Sequence, residues 1–149
     1  MTLLVVWLHV AGVVVWIGGV ASQRGALLVA GRGAGVGALL EMARRSRPIT
    51  WTAVSLTVLT GFYNVTRLGP LAQVLEGGAA LILAGKFILV IAAITLAGQR
   101  DFAQLPRARA LLETGADPAP ALRAMAWLDG LVLVLAAVVI YLGLTLSRR

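Results

Sequence analysis

Four segments of the chain are long and apolar enough to predict helices that cross a membrane. They cover about residues 2–23, 49–66, 79–98 and 126–146. A helix needs roughly 20 mostly apolar residues to cross the hydrocarbon core of a bilayer. Because lipid offers the backbone no hydrogen-bond partners, such segments must be helices rather than open strands. The predicted fold is therefore all-α: a single integral membrane domain over residues 1–149, built as a bundle of four transmembrane helices.

Composition agrees with a membrane protein and excludes several other classes. Hydrophobic residues make up 60% of the chain and charged residues 13%, which is about half the charged share of soluble domains. The net charge of +7 does not indicate nucleic-acid binding, because the basic residues lie in predicted loops and at helix ends. The chain has no cysteine, which excludes disulfides, thiolate metal sites and cysteine nucleophiles.

The connecting segments carry their own signals. The first loop is rich in glycine, and because no strand precedes it, a flexible linker is expected rather than a phosphate-binding loop. The third loop contains a short predicted helix around Arg107 that Gly115 ends. Asp117 followed by Pro118 is a helix-start signal. The fourth helix is therefore expected to begin near Pro118 and to protrude beyond the bilayer.

The distribution of arginine predicts the orientation in the membrane. Nine arginines belong to the first and third loops, against Arg67, Arg148 and Arg149 on the other side. Cytoplasmic loops carry the excess of basic residues, so loops 1 and 3 are expected in the cytoplasm and both termini outside. The nine are Arg24, Arg32, Arg44, Arg45, Arg47, Arg100, Arg107, Arg109 and Arg123.

His9 is the single histidine of the chain and lies inside the first predicted span. An ionisable residue within a membrane span is by default a candidate for function, and neutral imidazole is a common ligand of metals and of haem iron. The alternative is a histidine that hydrogen-bonds to a neighbouring carbonyl. Lys86 in the third span lies at a similar depth, roughly 12 Å below the outer surface at 1.5 Å per residue. It either snorkels outward, counters an anion such as a haem propionate, or moves protons.

Other residues of the four helices fall near the same depth. Gly12 and Trp16 lie on the His9 helix at helical spacing, and the second and fourth helices contribute Thr60, Asn64 and Tyr141. Each also has a structural interpretation, as helix packing or as an interfacial aromatic. At the opposite end of the bundle, Arg24 and Asp129 are predicted to form an ion pair. The candidate cofactor-binding set is His9, Gly12, Trp16, Thr60, Asn64, Lys86 and Tyr141.

Several chemistries lack the residues that they need. No two carboxylates are expected to share a depth in the bundle, which argues against hydrolysis by a carboxylate pair. One histidine without cysteine does not build a zinc site. Copper(I) prefers methionine, histidine or cysteine, and only Met1 lies near His9 in the sequence.

Three short motifs resemble known membrane families. Residues 8–10 and 15–19 (Leu-His-Val and Val-Trp-Ile-Gly-Gly) resemble the first helix of the copper-resistance D (CopD) domain family. Residues 45–48 leading into 59–61 resemble its second helix, and residues 85–90 its third. The layout also resembles the HemJ-type protoporphyrinogen oxidases, in which a first-helix histidine is implicated in binding haem b. This resemblance implies that His9 is the iron ligand and Lys86 an accompanying catalytic residue.

The expected function is to bind haem b through His9 in membrane redox chemistry. The resemblances imply two further properties: an oxidoreductase activity like that of protoporphyrinogen oxidase, or, as the alternative function, copper uptake or tolerance. A third alternative is a non-catalytic accessory subunit of a respiratory membrane complex. Expected partners are the lipid bilayer and either a second copy of the chain or that larger complex. With one histidine per chain, the sixth iron position is open, or is filled by a non-histidine ligand such as Met1, or by His9 of a homodimer partner.

Overall fold

The computed structural model describes residues 2–30, 35–67 and 79–147, and all its regular elements are helices. The all-α fold is therefore confirmed for this part of the chain. Three stretches are long and apolar enough to cross a membrane: Leu3–Val29, Ala80–Glu113 and Ala119–Leu144. The helices are α1 (Thr2–Ala30), α2 (Val36–Thr66), α3 (Ala79–Gln99), a π-helical turn (Arg100–Gln104), α4 (Leu105–Glu113) and α5 (Ala119–Ser147).

Helix α2 is not among the three apolar stretches, although the sequence predicts a span over 49–66. Hydroxyl and amide side chains lower its average hydropathy. Two of them, Thr57 and Thr60, are buried against the rest of the bundle. The outward side of the same helix is apolar, with Ile49, Leu59 and Phe62 largely exposed. Two threonines of α2 therefore face inward, whereas Thr52 and Ser55 are exposed.

The second helix begins well before the predicted span. Residues 36–48, expected in a flexible loop, are helical, and Pro48 lies inside the helix. Leu39, Leu40 and Ala43 are buried, and they join an apolar cluster with residues of α4 and α5. Packing of an apolar face contributes most of a helix's stability in a protein, and this packing extends α2 past the glycines and the proline. The linker expectation is wrong for these residues, and residues 31–34 lie outside the described part of the chain.

The end of α4 and the start of α5 follow the local sequence signals. Gly115 has a positive φ of 72°, a conformation that glycine adopts without steric cost. The Asp117 carboxylate accepts a hydrogen bond of 3.0 Å from the backbone N–H of Ala119, where α5 begins. The predicted short helix, its glycine stop and the start of the last helix near Pro118 are confirmed.

Two polar regions lie at different levels of the bundle. Helix α1 packs on α2 and α5, and α5 also packs on α3. Between the levels lies an apolar cluster of Trp16, Val20, Ala53, Val54, Ala93, Ala97 and Val132. We name the region around His9, Thr57, Thr60, Gly61 and Lys86 the histidine layer. The other region, the arginine cluster, contains Arg24, Arg47, Arg100, Asp101 and Asp129.

Candidate functional site

The imidazole of His9 binds to helix α2. His9 is half-buried, and its Nδ1 lies 3.0 Å from the main-chain carbonyl oxygen of Thr57. The same nitrogen lies 3.1 Å from the Thr60 hydroxyl. The histidine therefore faces its own bundle, as its sequence position predicts.

These two contacts define which ring nitrogen carries the proton. A carbonyl oxygen only accepts hydrogen bonds, so Nδ1 of His9 must be the donor to Thr57. The Thr60 hydroxyl donates its own proton to the Leu56 carbonyl, so it too presents a lone pair to His9. In neutral imidazole the other nitrogen, Nε2, then holds an unshared electron pair. Ligating histidines in metalloproteins are oriented in this way, by an N–H bond to a carbonyl or carboxylate.

Two glycines bring α1 and α2 close enough for this contact. A Cβ added to Gly61 would lie 3.0 Å from Cε1 of His9. A Cβ added to Gly12 would lie 2.6 Å from the Thr57 hydroxyl oxygen and 3.1 Å from the Ala53 carbonyl oxygen. Gly12 thus sets the distance between the two helices. Its predicted contact with a cofactor stays a prediction.

Lys86 approaches the layer from α3. Its side chain is half-buried, and its ammonium nitrogen lies 3.3 Å from the position that a Cβ of Gly143 on α5 would occupy. The lysine therefore packs between α3 and α5, and its predicted depth in the membrane is similar to that of His9.

The remaining predicted site residues differ in their placement. Thr60 is buried and contacts His9, and Asn64 lies one turn further along α2 and is half-buried. Trp16 is buried in the middle apolar cluster, below the histidine layer. Tyr141 is 66% exposed, so its side chain points away from the bundle. Of the predicted site residues on other helices, Thr60 contacts His9, Lys86 contacts α5 beside Gly143, and Tyr141 faces away.

The donor atoms available to a metal ion are few. The described residues contain no group of three or more His, Cys, Asp or Glu side chains. Met125 is fully buried in the apolar cluster formed by α1, α2, α4 and α5, far along the chain from His9, and Met1 lies outside the described residues. Within the described part, the histidine layer thus offers a metal one imidazole nitrogen.

The arginine cluster has a different pairing from the predicted one. Arg100 forms ion pairs with Asp101 at 2.6 Å and with Asp129 at 3.2 Å. Arg24 instead donates a hydrogen bond of 3.1 Å to the Ala126 carbonyl. The Arg24–Asp129 ion pair is therefore replaced by Arg100–Asp129. Arg100 was expected in a loop, but it is only 5% exposed.

Helix α2 also enters the arginine cluster. Trp51 donates its indole N–H to Asp101 at 3.0 Å, and Arg47 donates to the Asp101 carbonyl at 2.6 Å. Arg100 and Asp101 both lie in the π-helical turn, a rare interruption of an α-helix. Both residues are buried there.

Sequence reasoning missed three features of these two regions. The Thr57 carbonyl is a main-chain group, so no residue type reveals it. Gly61 follows Thr60, and its i+4 spacing from Thr57 is the signal that could have placed it on the helix face beside His9. Gly143, which gives room to Lys86, carries no comparable signal because no spacing in the sequence connects it to a lysine on another helix.

Three comparisons with known proteins found no match to this chain. No family model, no curated protein and no solved structure matches the chain. The chemistry of the histidine layer therefore has to follow from its own residues.

Proposed function

We propose that the protein is an integral membrane protein that binds haem b through Nε2 of His9. One observation carries this proposal: Nδ1 donates to the Thr57 carbonyl at 3.0 Å, which leaves Nε2 as a free Lewis base on an oriented ring. Haem iron is commonly held by one axial histidine. The resemblance of the first and third helices to CopD and HemJ-type proteins points the same way and stays a prediction.

The donor set favours haem over an ion held by protein ligands alone. The porphyrin supplies four nitrogens of its own, so a single imidazole from the chain is sufficient. When bound, haem supplies reversible one-electron chemistry. The copper alternative would need further sulfur or imidazole ligands, and none accompanies His9 among the described residues.

We propose that Lys86 balances the negative charge of a haem propionate. An ammonium group held between α3 and α5 at the histidine level can pair with a propionate, which is the anionic part of haem. Lys86→Met should then lower the reduction potential, because removing a positive charge disfavours the reduced and more negative haem. If Lys86→Met leaves both the reduction potential and the haem retention unchanged, the lysine only extends its ammonium group toward the membrane surface.

All four long helices are proposed to span the membrane, including α2. Its threonines return hydrogen bonds to their own helix, Thr57 to Ala53 and Thr60 to Leu56, so they present few unsatisfied groups to lipid. Arg109 of α4 lies 3.8 Å from Glu41 of α2, which places the arginine-rich ends of loops 1 and 3 together. By the excess of arginine there, this end faces the cytoplasm and the termini face outside.

The proposed site has an open or weakly held sixth iron position. One chain provides one histidine, and His9 faces α2 of its own bundle rather than a neighbouring molecule. Reduced protein should therefore bind carbon monoxide. An electron paramagnetic resonance signal of low-spin, bis-histidine haem from dimeric protein would instead show that two chains share the haem.

An absorption spectrum of purified protein and two variants tests the haem assignment. His9→Ala should abolish the Soret band while the protein remains folded in the membrane fraction. Trp7→Ala is the matched control, since Trp7 lies on the same helix and is 67% exposed; it should keep the band. Full haem occupancy in His9→Ala would refute the assignment. Bound copper without a Soret band would favour copper handling. Purified protein that contains neither haem nor copper would favour an accessory subunit.

A further inference from the structure

A second polar surface lies where α1 meets α5, on the lipid side of the arginine cluster. The Arg24 guanidinium lies along α5, with Nε 3.2 Å and Nη2 3.3 Å from the position that a Cβ of Gly130 would occupy. Its Nε also donates to the Ala126 carbonyl at 3.1 Å. Gly130 thus leaves the space in which an arginine from α1 lies flat on the next helix.

Two further side chains share this side of α5. Arg123, Ala126, Trp127 and Gly130 follow one another at the i, i+3, i+4 and i+7 spacing that places residues on one helix face. Trp127 is 71% exposed, and Arg123 is exposed. Arg123 makes no ion pair or hydrogen bond within the described residues. The surface formed by Arg24, Arg123 and Trp127 therefore presents two cations beside an exposed indole.

The carboxylates beneath this surface do not neutralise it. Asp101 and Asp129 are each 3% exposed, and both pair with Arg100, at 2.6 and 3.2 Å. Arg47 adds a further positive charge to the same cluster, through its bond to the Asp101 backbone. The charge of Arg24 is therefore in excess over the buried acids, and it lies at the edge of the cluster where Arg123 adds to it.

We infer that this surface binds the phosphate of an anionic phospholipid headgroup. Guanidinium groups form strong, charge-assisted hydrogen bonds to phosphate oxygens, and indole rings prefer the boundary between acyl chains and headgroups. Arginines near the cytoplasmic leaflet are attracted by its anionic lipids. The inference rests on the membrane location proposed above and is independent of haem.

The experiment compares retention of phosphatidylglycerol and phosphatidylcholine by the protein in mixed detergent–lipid micelles, read by native mass spectrometry. Two variants weaken the surface in different ways. Arg123→Gln removes a cation, and Gly130→Ala keeps every charge but displaces the Arg24 guanidinium. Arg107→Gln is the matched control, since Arg107 of α4 is also an exposed helical arginine and lies outside this surface.

The expected result is tighter retention of the anionic lipid, weakened about fivefold by Arg123→Gln, as for one arginine at an anionic membrane surface. Gly130→Ala should weaken retention in the same direction, and Arg107→Gln should leave it unchanged. Equal losses in Arg123→Gln and Arg107→Gln would overturn the inference in favour of diffuse attraction. Equal retention of both lipids, or displacement of the lipid by inorganic phosphate at low concentration, would also overturn it. Failure of the protein to partition into membranes would refute the membrane location instead.

Discussion

The histidine layer and the arginine cluster are both polar regions inside an apolar bundle, but they differ in how their groups are satisfied. His9 is half-buried, and only one of its two ring nitrogens is bonded to the protein. Arg100, Asp101 and Asp129 are at most 5% exposed, and Arg100 pairs with both carboxylates, Asp101 in its own π-helical turn and Asp129 on α5. The first region has a ring nitrogen that no protein group binds within the described residues. The second region connects parts of the fold, although Nε of Arg47, Nη2 of Arg100 and Oδ2 of Asp129 are buried there without a hydrogen-bond partner in the described part of the chain.

This difference separates ligand chemistry from structural stability. About 22 Å of helix separates His9 from Arg24 at 1.5 Å per residue, and the middle apolar cluster lies between them. No hydrogen bond links the two regions within the described residues. Changes in the histidine layer should therefore alter ligand binding with small effects on folding, and changes in the arginine cluster should do the reverse.

The largest effect is expected from Arg100→Ala. Removing this guanidinium leaves two buried carboxylates without their shared cation, and breaking a buried ion pair typically costs about 3–5 kcal/mol of folding free energy. Unfolding in detergent micelles measures this loss. Arg107→Ala, at an exposed arginine, should stay within about 0.5 kcal/mol of the parent protein. A loss below about 1 kcal/mol for Arg100→Ala would show that the cluster does not stabilise the fold.

Gly12→Ala should destabilise the contact between α1 and α2. The added methyl group would lie 2.6 Å from the Thr57 hydroxyl oxygen, so the helices must separate, and such overpacking costs about 1–3 kcal/mol. Gly18→Ala is the matched control on the same helix, because a Cβ there has no atom within 4 Å. Unfolding of both variants under the same conditions checks the prediction, and equal stabilities would contradict it.

Gly61→Ala should affect the histidine more than the fold. Its Cβ would lie 3.0 Å from Cε1 of His9, and the ring can move by a few tenths of an ångström to relieve this contact. We expect a loss of stability at the lower end of the range of about 1–3 kcal/mol for overpacking, with a clear loss of haem retention. The ratio of Soret to protein absorbance measures the second effect. If Gly61→Ala were destabilised but kept its haem content, the histidine layer would contribute to folding rather than to ligand binding, contrary to the proposal.

The smallest effect is expected at Glu41, outside both regions. Hydrogen bonds from Arg44, and then from Arg45, lower the pKa of Glu41 from 4.5 to about 2. Because the pKa in the folded protein is below the unfolded value, the stabilisation is complete above about pH 4.5 and is lost as the pH falls through 2. Solvent screens these partly exposed pairs, so the effect is slight. Unfolding of Glu41→Gln and the parent should differ at pH 7 and converge near pH 2; a constant difference would contradict this.

Much of the fold follows from local sequence. The all-helical character, the glycine stop at Gly115 and the start of α5 were predictable because each depends on residues a few positions apart. The start of α2 was not, since Leu39 and Leu40 are held by partners more than 60 residues later in the chain. Turn-forming glycines and Pro48 indicate a loop locally, and tertiary packing overrides that preference.

The candidate site divides in the same way. Sequence alone determined that His9 is the single imidazole, that it lies in an apolar helix, and that Lys86 has a similar depth, because depth follows from counting residues along a helix. Only the tertiary structure decided that Nδ1 is bound by the Thr57 carbonyl, that Tyr141 faces outward, and that Arg100 rather than Arg24 pairs with Asp129. These features depend on the rotation of each helix about its axis and on side-chain direction, which are set by packing between distant segments.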